Sequence, residues 1–361
     1  MQQVVVFGAG VAGASFIKAT TTAPVDMTLV DPKDYVELPY PMLRALTDFT
    51  GLATMVRRPI SDELGVPHIQ AKLETLSGHT ALLDDGQEIG FDYAILATGS
   101  TVRGFESLKL ARERTLEERA AEWRMHADLL LHAKDVIIVG GGPVGVELAG
   151  EIREAYPAKH VTLIEAGDRL LAALGQWASK KARRVLEGQG VQVMTGQRTA
   201  VEADGHTVRL ESGEARRADL VYEALGIEID TSYLESEFRE ALTPMRAVRV
   251  DRLLRVVGSE NIFALGDIND TPEIKLGVFA TRQARLTARN LNSLLRDQDL
   301  RPYRPTKGAM GFVTLGRGAG IAQLPVGRFD PLVRMKQKDL FLSRFFSAEV
   351  RVPRTAETVA S

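Results

Sequence analysis

The chain of 361 residues carries 45 Lys and Arg against 47 Asp and Glu, a formal charge of −2 that offers nucleic acid no overall attraction. Its 45% hydrophobic and 25% charged residues describe an ordinary globular protein of more than one domain, and no apolar run reaches the ~18 residues of a spanning helix. The absence of cysteine excludes a disulfide framework, a thiolate zinc site, a Cys-x-x-Cys redox pair and a cysteine nucleophile, so no metal is expected and any redox chemistry must run through a cofactor.

In chain order, the first predicted strand is Val4-Val5-Val6-Phe7. It runs into Gly8-Ala9-Gly10-Val11-Ala12-Gly13, and a helical pattern follows through Phe16 and Ile17. This is G-x-G-x-x-G between a strand and a helix, the setting in which it binds a dinucleotide. Gly8 permits the sharp turn, Gly10 lets the backbone approach a pyrophosphate, and Gly13 lets helix pack on strand. The next strand, Met27 to Val30, ends on Asp31, where an acid binds a ribose hydroxyl. With a strand from Val4 and Gln2 in second place, neither a secretory leader nor N-myristoylation is expected, which predicts a cytoplasmic protein.

The Pro-rich segment Tyr35 to Pro41 reads as a rigid loop before a helix at Met42 to Ala45. Short strands are expected at His68 to Ala71 and Thr80 to Leu83, and a buried one at Tyr93 to Ala97, ending in Thr98-Gly99-Ser100. A charged helical stretch spans about 108–132. The opening pattern then returns. Asp135 to Val139 is a strand, Gly140-Gly141-Gly142-Pro143-Val144-Gly145 is a second G-x-G-x-x-G, and the strand Val161 to Ile164 ends on Glu165. Further strands are expected near 191–193, 207–210, 220–224, 248–250 and 254–256. Asn261 to Leu265 leads into Gly266-Asp267, and a helix covers about 276–295. Gly316 to Gly320 signals a hairpin.

The fold class expected is therefore α/β, with two Rossmann-like domains for FAD and NAD(P) and a small C-terminal α+β domain. The FAD-binding domain takes 1–102 and 247–299, the NAD(P)H-binding domain 103–246, and a C-terminal interface or membrane-associating domain 300–361. Two dinucleotide sites in one chain suggest a relay from nicotinamide to flavin to an acceptor. FAD is expected to be tightly bound at the first site, and NADH to visit the second.

The layout resembles the two-dinucleotide-binding-domain flavoproteins. The likeness is carried by Gly8-x-Gly10-x-x-Gly13, Ala97-Thr98-Gly99, Gly140-x-Gly142-x-x-Gly145 and Gly266-Asp267. Within them it is similar to the ferroptosis-suppressor branch of NADH:quinone oxidoreductases. Leu29 to Asp34 leading to Leu43-Arg44-Ala45, Glu147 with Glu151-Ile152 and Tyr156-Pro157, and Lys336-x-x-Asp339-Leu340-Phe341 carry that part. The resemblance implies FAD contacts at Asp31, Lys33, Arg44 (toward the pyrophosphate), the Ala71 backbone, Ala97, Thr98, Gly99 and Asp267 (toward the ribityl chain). It implies NAD contacts along Gly140 to Gly145 and at Gly226. It places Glu147 near nicotinamide and flavin, Lys275 against the flavin, and Lys336 near the active site. Gln283 falls where such enzymes hold a Gln near the flavin, from which it would donate to a quinone carbonyl. Phe312 would wall the same pocket.

Each residue also has a plainer reading. Asp267 is a possible helix cap, Arg44 a surface arginine and Lys275 a helix-start lysine facing water. Glu165 accepts from both ribose hydroxyls and repels a 2′-phosphate, so NADH is expected over NADPH unless Arg169 shields it. The run Arg328 to Phe346 mixes bases with large apolar groups. It suits a lipid interface, or packs on the protein's own sheet. The activity expected is electron transfer from NADH through FAD to a quinone, by a protein peripheral to a membrane or a homodimer. A type II NADH dehydrogenase, a ferredoxin or rubredoxin reductase, and an NADH-sensing signalling flavoprotein are the alternatives.

Overall fold

The valine run forms β1 (Gln2–Phe7), and Val4, Val5 and Val6 are fully buried because a parallel strand is covered on both faces. The structure, a computed structural model, describes residues 1–20, 24–48, 51–53, 55–109, 114–340 and 342–346. β1 lies between β2 (Val25–Val30) and β4 (Tyr93–Leu96). The short β3 (His68–Ile69) pairs outside β2, and a strand from late in the chain, Ile262–Ala264, pairs outside β4. All four pairings are parallel, with Val4 opposite Met27 and Tyr93. Helix α1 (Val11–Ala19) returns the chain from β1.

Tyr35 to Glu37 is not a loop but a strand paired antiparallel with Arg57–Pro59. Prolines at 39, 41 and 59 stand at its ends, where no ladder hydrogen bond is lost. A single-turn helix α2 (Met42–Ala45) follows. Residues 110–113 of the expected charged helix lie outside the described residues. Helix α3 (Leu116–His132) starts later than expected because Thr115 and Glu118 form a reciprocal capping box there.

A second parallel sheet repeats the plan: β5 (Asp135–Val139), helix α4 (Pro143–Ala155), β6 (His160–Glu165), helix α5 (Gln176–Gly188), β7 (Gln192–Thr195) and β8 (Leu220–Glu223), in the order β7-β6-β5-β8. The chain returns to the first sheet as β9 (Ile262–Ala264). The segments at 248–250 and 254–256 make only isolated bridges and not full strands. Helix α6 (Gly277–Leu294) then packs on α1, with Ser15 Oγ 3.2 Å from Thr281 Oγ1.

An antiparallel meander of β10 (Gly311–Thr314), β11 (Gly320–Leu324) and β12 (Gly327–Arg328) precedes helix α7 (Asp330–Asp339). The chain thus forms the α/β class expected, with two Rossmann-like units and a small α+β unit. The apolar side of the C-terminal run faces inward: Val333, Leu340, Leu342 and Phe346 are all buried. Phe341 and residues 347–361 lie outside the described residues. No helix among the described residues is long and apolar enough to cross a membrane.

Candidate functional site

The two glycine turns are built alike, atom for atom. Gly8 donates to Val30 O at 2.9 Å and Gly140 to Ile164 O at 2.7 Å. Their φ angles, +106 and +111, suit glycine alone. A Cβ on Gly8 would lie 2.4 Å from Ala97 O, and one on Gly140 2.3 Å from Ala224 O. A Cβ on Gly13 or Gly145 would collide with the carbonyl of Gly8 or Gly140. By contrast, a Cβ on Gly10 or Gly142 would meet nothing within 4 Å. Helices α1 and α4 begin at these open points with no side-chain cap and no acid in the first turn. Val11, Ala12 and Gly13 in α1, and Val144 and Gly145 in α4, present N–H groups there; Pro143 has none to leave unpaired. Uncapped N–H groups facing open space fit a pyrophosphate in each unit.

The acids repeat the symmetry. Asp31 Oδ2 accepts from Ala9 N–H at 2.6 Å, and Glu165 Oε2 accepts from Gly141 N–H at 2.6 Å. Asp31 Oδ1 also accepts from the Lys33 backbone N–H at 2.8 Å and from Lys33 Nζ at 2.7 Å. Glu165 Oε1 accepts from Gly167 N–H at 2.6 Å. Arg169 makes no salt bridge to Glu165 among the described residues; its Nε lies 4.0 Å from Asp168 Oδ1. Gly99 and Gly226 close the corresponding strands with φ +77 and +95. Thr98 Oγ1 is 2.8 Å from the buried Tyr233 hydroxyl, and burial pushes that phenol well up. Ala71 is fully buried beside the end of β3.

Asp267 stands at the end of the first sheet, but not as a helix cap. Its Oδ2 accepts from Ser100 Oγ at 2.6 Å and from Lys109 Nζ at 2.8 Å. Burial works to raise its pKa. The Lys109 charge, the hydrogen bonds from Lys109 and Ser100, and the Lys275 charge outweigh burial and hold the carboxyl below its ordinary value. Lys109 was invisible in the sequence, where a lysine in a charged stretch reads as surface. Lys275 is turned into the protein, donating to Asn269 O at 2.6 Å, and burial lowers its pKa.

Two of the candidate residues are engaged by partners within the protein. Arg44, expected toward the FAD pyrophosphate, holds a carboxylate of the second unit. It is 3% exposed, and its Nε and Nη2 grip Glu151 of α4 at 2.8–3.1 Å. Gln283, expected to donate to a quinone carbonyl, is 2% exposed and engaged with the Gly266–Asp267 corner. Its Oε1 accepts from Gly266 N–H and Asn269 Nδ2, both at 2.8 Å, and its Nε2 donates to Thr271 Oγ1 at 3.3 Å. A guanidinium fits a carboxylate as well as a phosphate, and a buried amide fits a turn as well as a ligand, so the residue type alone selects neither partner.

Glu147 and Lys336 come together from 189 positions apart. Lys336 Nζ donates to Glu147 Oε1 at 2.5 Å and to Phe312 O at 2.9 Å, while Thr314 N–H donates to the same Glu147 oxygen at 2.7 Å. Both side chains are about a tenth exposed or less. Lys336 also lines a cavity of about 670 Å³. Its walls are Val11 and Ser15 of α1, Tyr40, the start of α6 at Leu276 to Thr281, and Phe312, Leu324, Leu332 and Phe345 of the C-terminal unit. The lining is mostly apolar, and Lys18, Arg282 and Arg285 stand among it.

With this geometry in view, comparison with known proteins gives a consistent answer. The model of the pyridine nucleotide-disulphide oxidoreductase family matches residues 2–284. The chain belongs to that family. Its members' fold also recurs in NDH2 from Plasmodium falciparum solved with NADH, at TM-score 0.76 and 17% identity over 96% of this chain and 95% of that one. A ferredoxin reductase from Rhodopseudomonas palustris matches at TM-score 0.71 and 22% identity over 87% and 79%. Among curated relatives, human ferroptosis suppressor protein 1 is 29% identical over 94% of each chain, and that of Xenopus tropicalis 28% over 95% and 94%. The chain is a flavin-dependent NAD(P)H oxidoreductase of this family, with FAD and NAD(P)H as its dinucleotides.

Proposed function

We propose that this oxidoreductase passes two electrons from NADH to a quinone, as a protein of the ferroptosis-suppressor type. The observation that carries the reading is the apolar cavity between the start of α1, the start of α6 and the C-terminal unit, with Lys336 in its wall. A flat apolar ring suits that lining better than a charged or peptidic acceptor does. FAD, when bound, supplies the exchange between a two-electron hydride donor and the acceptor. The first glycine turn, Asp31 and the Asp267 corner suit FAD, held tightly. The second turn and Glu165 suit NADH and disfavour the extra phosphate of NADPH.

The side chains have positioning roles in this reading. Lys336, held by Glu147, directs an ammonium donor at a quinone oxygen in the cavity. Gln283 fixes the Gly266–Asp267 corner by accepting from its backbone. Arg44 and Glu151 tie the two dinucleotide units together beside Glu147. The test is a visible spectrum of the purified protein, then addition of NADH, then of a short-chain quinone. Bleaching by NADH and recovery with quinone, turning over rapidly, is expected. Bleaching without recovery by any quinone, but with recovery by an acidic iron–sulfur protein, refutes the quinone reading.

A further inference from the structure

The lining of the mostly apolar cavity includes a pair of hydroxyls. Ser15 of α1 and Thr281 of α6 both face it, with Ser15 Oγ 3.2 Å from Thr281 Oγ1. A hydroxyl on a helix ordinarily bonds back to the carbonyl one turn before it, as Thr20 does to Phe16 O at 2.7 Å. Ser15 and Thr281 have only each other among the described residues. Two hydroxyls bring two hydrogens, and the bond between them uses one. The other is a surplus donor. Ser15 is 8% exposed and Thr281 partly buried, so that donor stands in a largely dry wall. A donor left unmade there is costly, and a ligand that brings an acceptor removes the cost.

Lys336 shows the same surplus from another wall. Its ammonium has three hydrogens and spends two, on Glu147 Oε1 and Phe312 O. The helices place the hydroxyls part-way along the cavity. Val11, Ser15 and Lys18 recur at helical spacing on α1, and Val278, Thr281 and Arg285 do so on α6. At 1.5 Å of rise per residue, Ser15 stands about 6 Å along α1 from Val11, where the helix leaves the first glycine turn. Lys18 lies one turn further out. The hydroxyl pair therefore sits between the dinucleotide end of the seam and its cationic end.

We infer that the Ser15–Thr281 pair is the second polar anchor for a para-quinone in this cavity, donating to one carbonyl while Lys336 donates to the other. The inference rests on the quinone reading and deepens it, because it names the residues that fix which way the ring lies. A quinone carbonyl only accepts, and each anchor holds a hydrogen that only donates. The apolar ring between the carbonyls suits the side chains of Phe312 and Leu324. Either hydroxyl serves as the donor, because the two exchange roles by rotating their hydrogens. Removing one leaves the other with its hydrogen free, so the pair is redundant and only its complete loss is felt in full.

The experiment is steady-state turnover of the full FAD-loaded chain with NADH and two short para-benzoquinones, one bearing methoxy groups and one bearing methyl groups only. Ser15→Ala and Thr281→Val should each raise the quinone KM by no more than about twofold, and the double variant by about tenfold, with kcat within about twofold. Both quinones should respond in parallel, since both carry the two carbonyls. Thr281→Ser keeps the hydroxyl and should behave like the parent. Melting temperature, FAD content and the rate of bleaching by NADH should be unchanged, which separates the effect from folding and from the other half of the reaction. Single effects that multiply to the double one, or a Thr281→Ser variant as impaired as Thr281→Val, would show a packing role and overturn the inference. So would a loss confined to kcat or to the methoxy quinone. A parent that reduces quinones, with a double variant that matches it, removes this inference alone; a parent that reduces none removes the quinone reading with it.

Discussion

Lys336 Nζ lies 2.5 Å from Glu147 Oε1 and joins the C-terminal helix to the second dinucleotide helix. Because both partners are buried, removing one leaves an uncompensated charge. Lys336→Met should cost about 3 kcal/mol in chemical denaturation and slow quinone turnover. The double variant Lys336→Met with Glu147→Gln removes the stranded charge, so its stability should largely recover. Its quinone kcat should not recover. Recovery of both would make the pair purely structural.

Arg44 and Glu151 make a second buried pair, which ties the first dinucleotide unit to the same helix. Arg44→Met should destabilise by about 3–5 kcal/mol. Arg44→Met with Glu151→Leu should regain most of that, since no charge is left without a partner. An Arg44→Met protein that binds FAD far more weakly at unchanged stability would support a pyrophosphate role instead.

The parts of the molecule legible in the sequence are those where backbone geometry leaves no choice of residue. Gly8, Gly13, Gly140 and Gly145 each face a carbonyl that a Cβ would strike, so their spacing alone disclosed both units. Asp31 and Glu165 were legible because each follows its strand directly. Arg44, Gln283 and Lys109 were not, because their partners lie 107, 17 and 158 positions away and no local pattern selects them. The C-terminal run left two readings open for a related reason. Amphipathicity shows that a helix has an apolar side, and not whether that side meets lipid or the protein's own sheet.

Gln283 gives a test of how the Gly266–Asp267 corner is held. Gln283→Leu strands the Gly266 N–H and the Asn269 amide in a buried site, at about 1–3 kcal/mol. The melting temperature and the FAD content after gel filtration should fall together. Direct donation to a quinone instead predicts full FAD content with a raised quinone KM.

Asp267 should govern part of the acid stability. Its carboxyl is held below the ordinary 3.8 in the fold, against the effect of burial, by Lys109 first and then by Ser100 and Lys275. A depressed carboxyl adds stability that is complete above its unfolded pKa and is lost as pH falls through the folded one. Lys109→Met removes the largest opposing influence, so the pKa rises. The variant should melt below the parent at neutral pH, and the gap should close as pH falls below about 4. A gap that stays constant through that range would mean that Lys109 acts by packing and not by charge.

Glu165 gives a test of the proposed preference for NADH. Both its oxygens accept backbone N–H groups, from Gly141 and Gly167, which fixes a negative charge at the end of β6. A 2′-phosphate there meets a like charge. Such juxtapositions cost several kcal/mol, so kcat/KM should favour NADH over NADPH by on the order of 100-fold. Glu165→Gln keeps the length of the side chain and removes the charge. It should bring the two coenzymes within about tenfold, mainly through the KM for NADPH, at a cost of about 1 kcal/mol for the backbone bond its amide cannot accept. Equal kcat/KM for the two coenzymes in the parent protein would show that the carboxylate does not read the ribose.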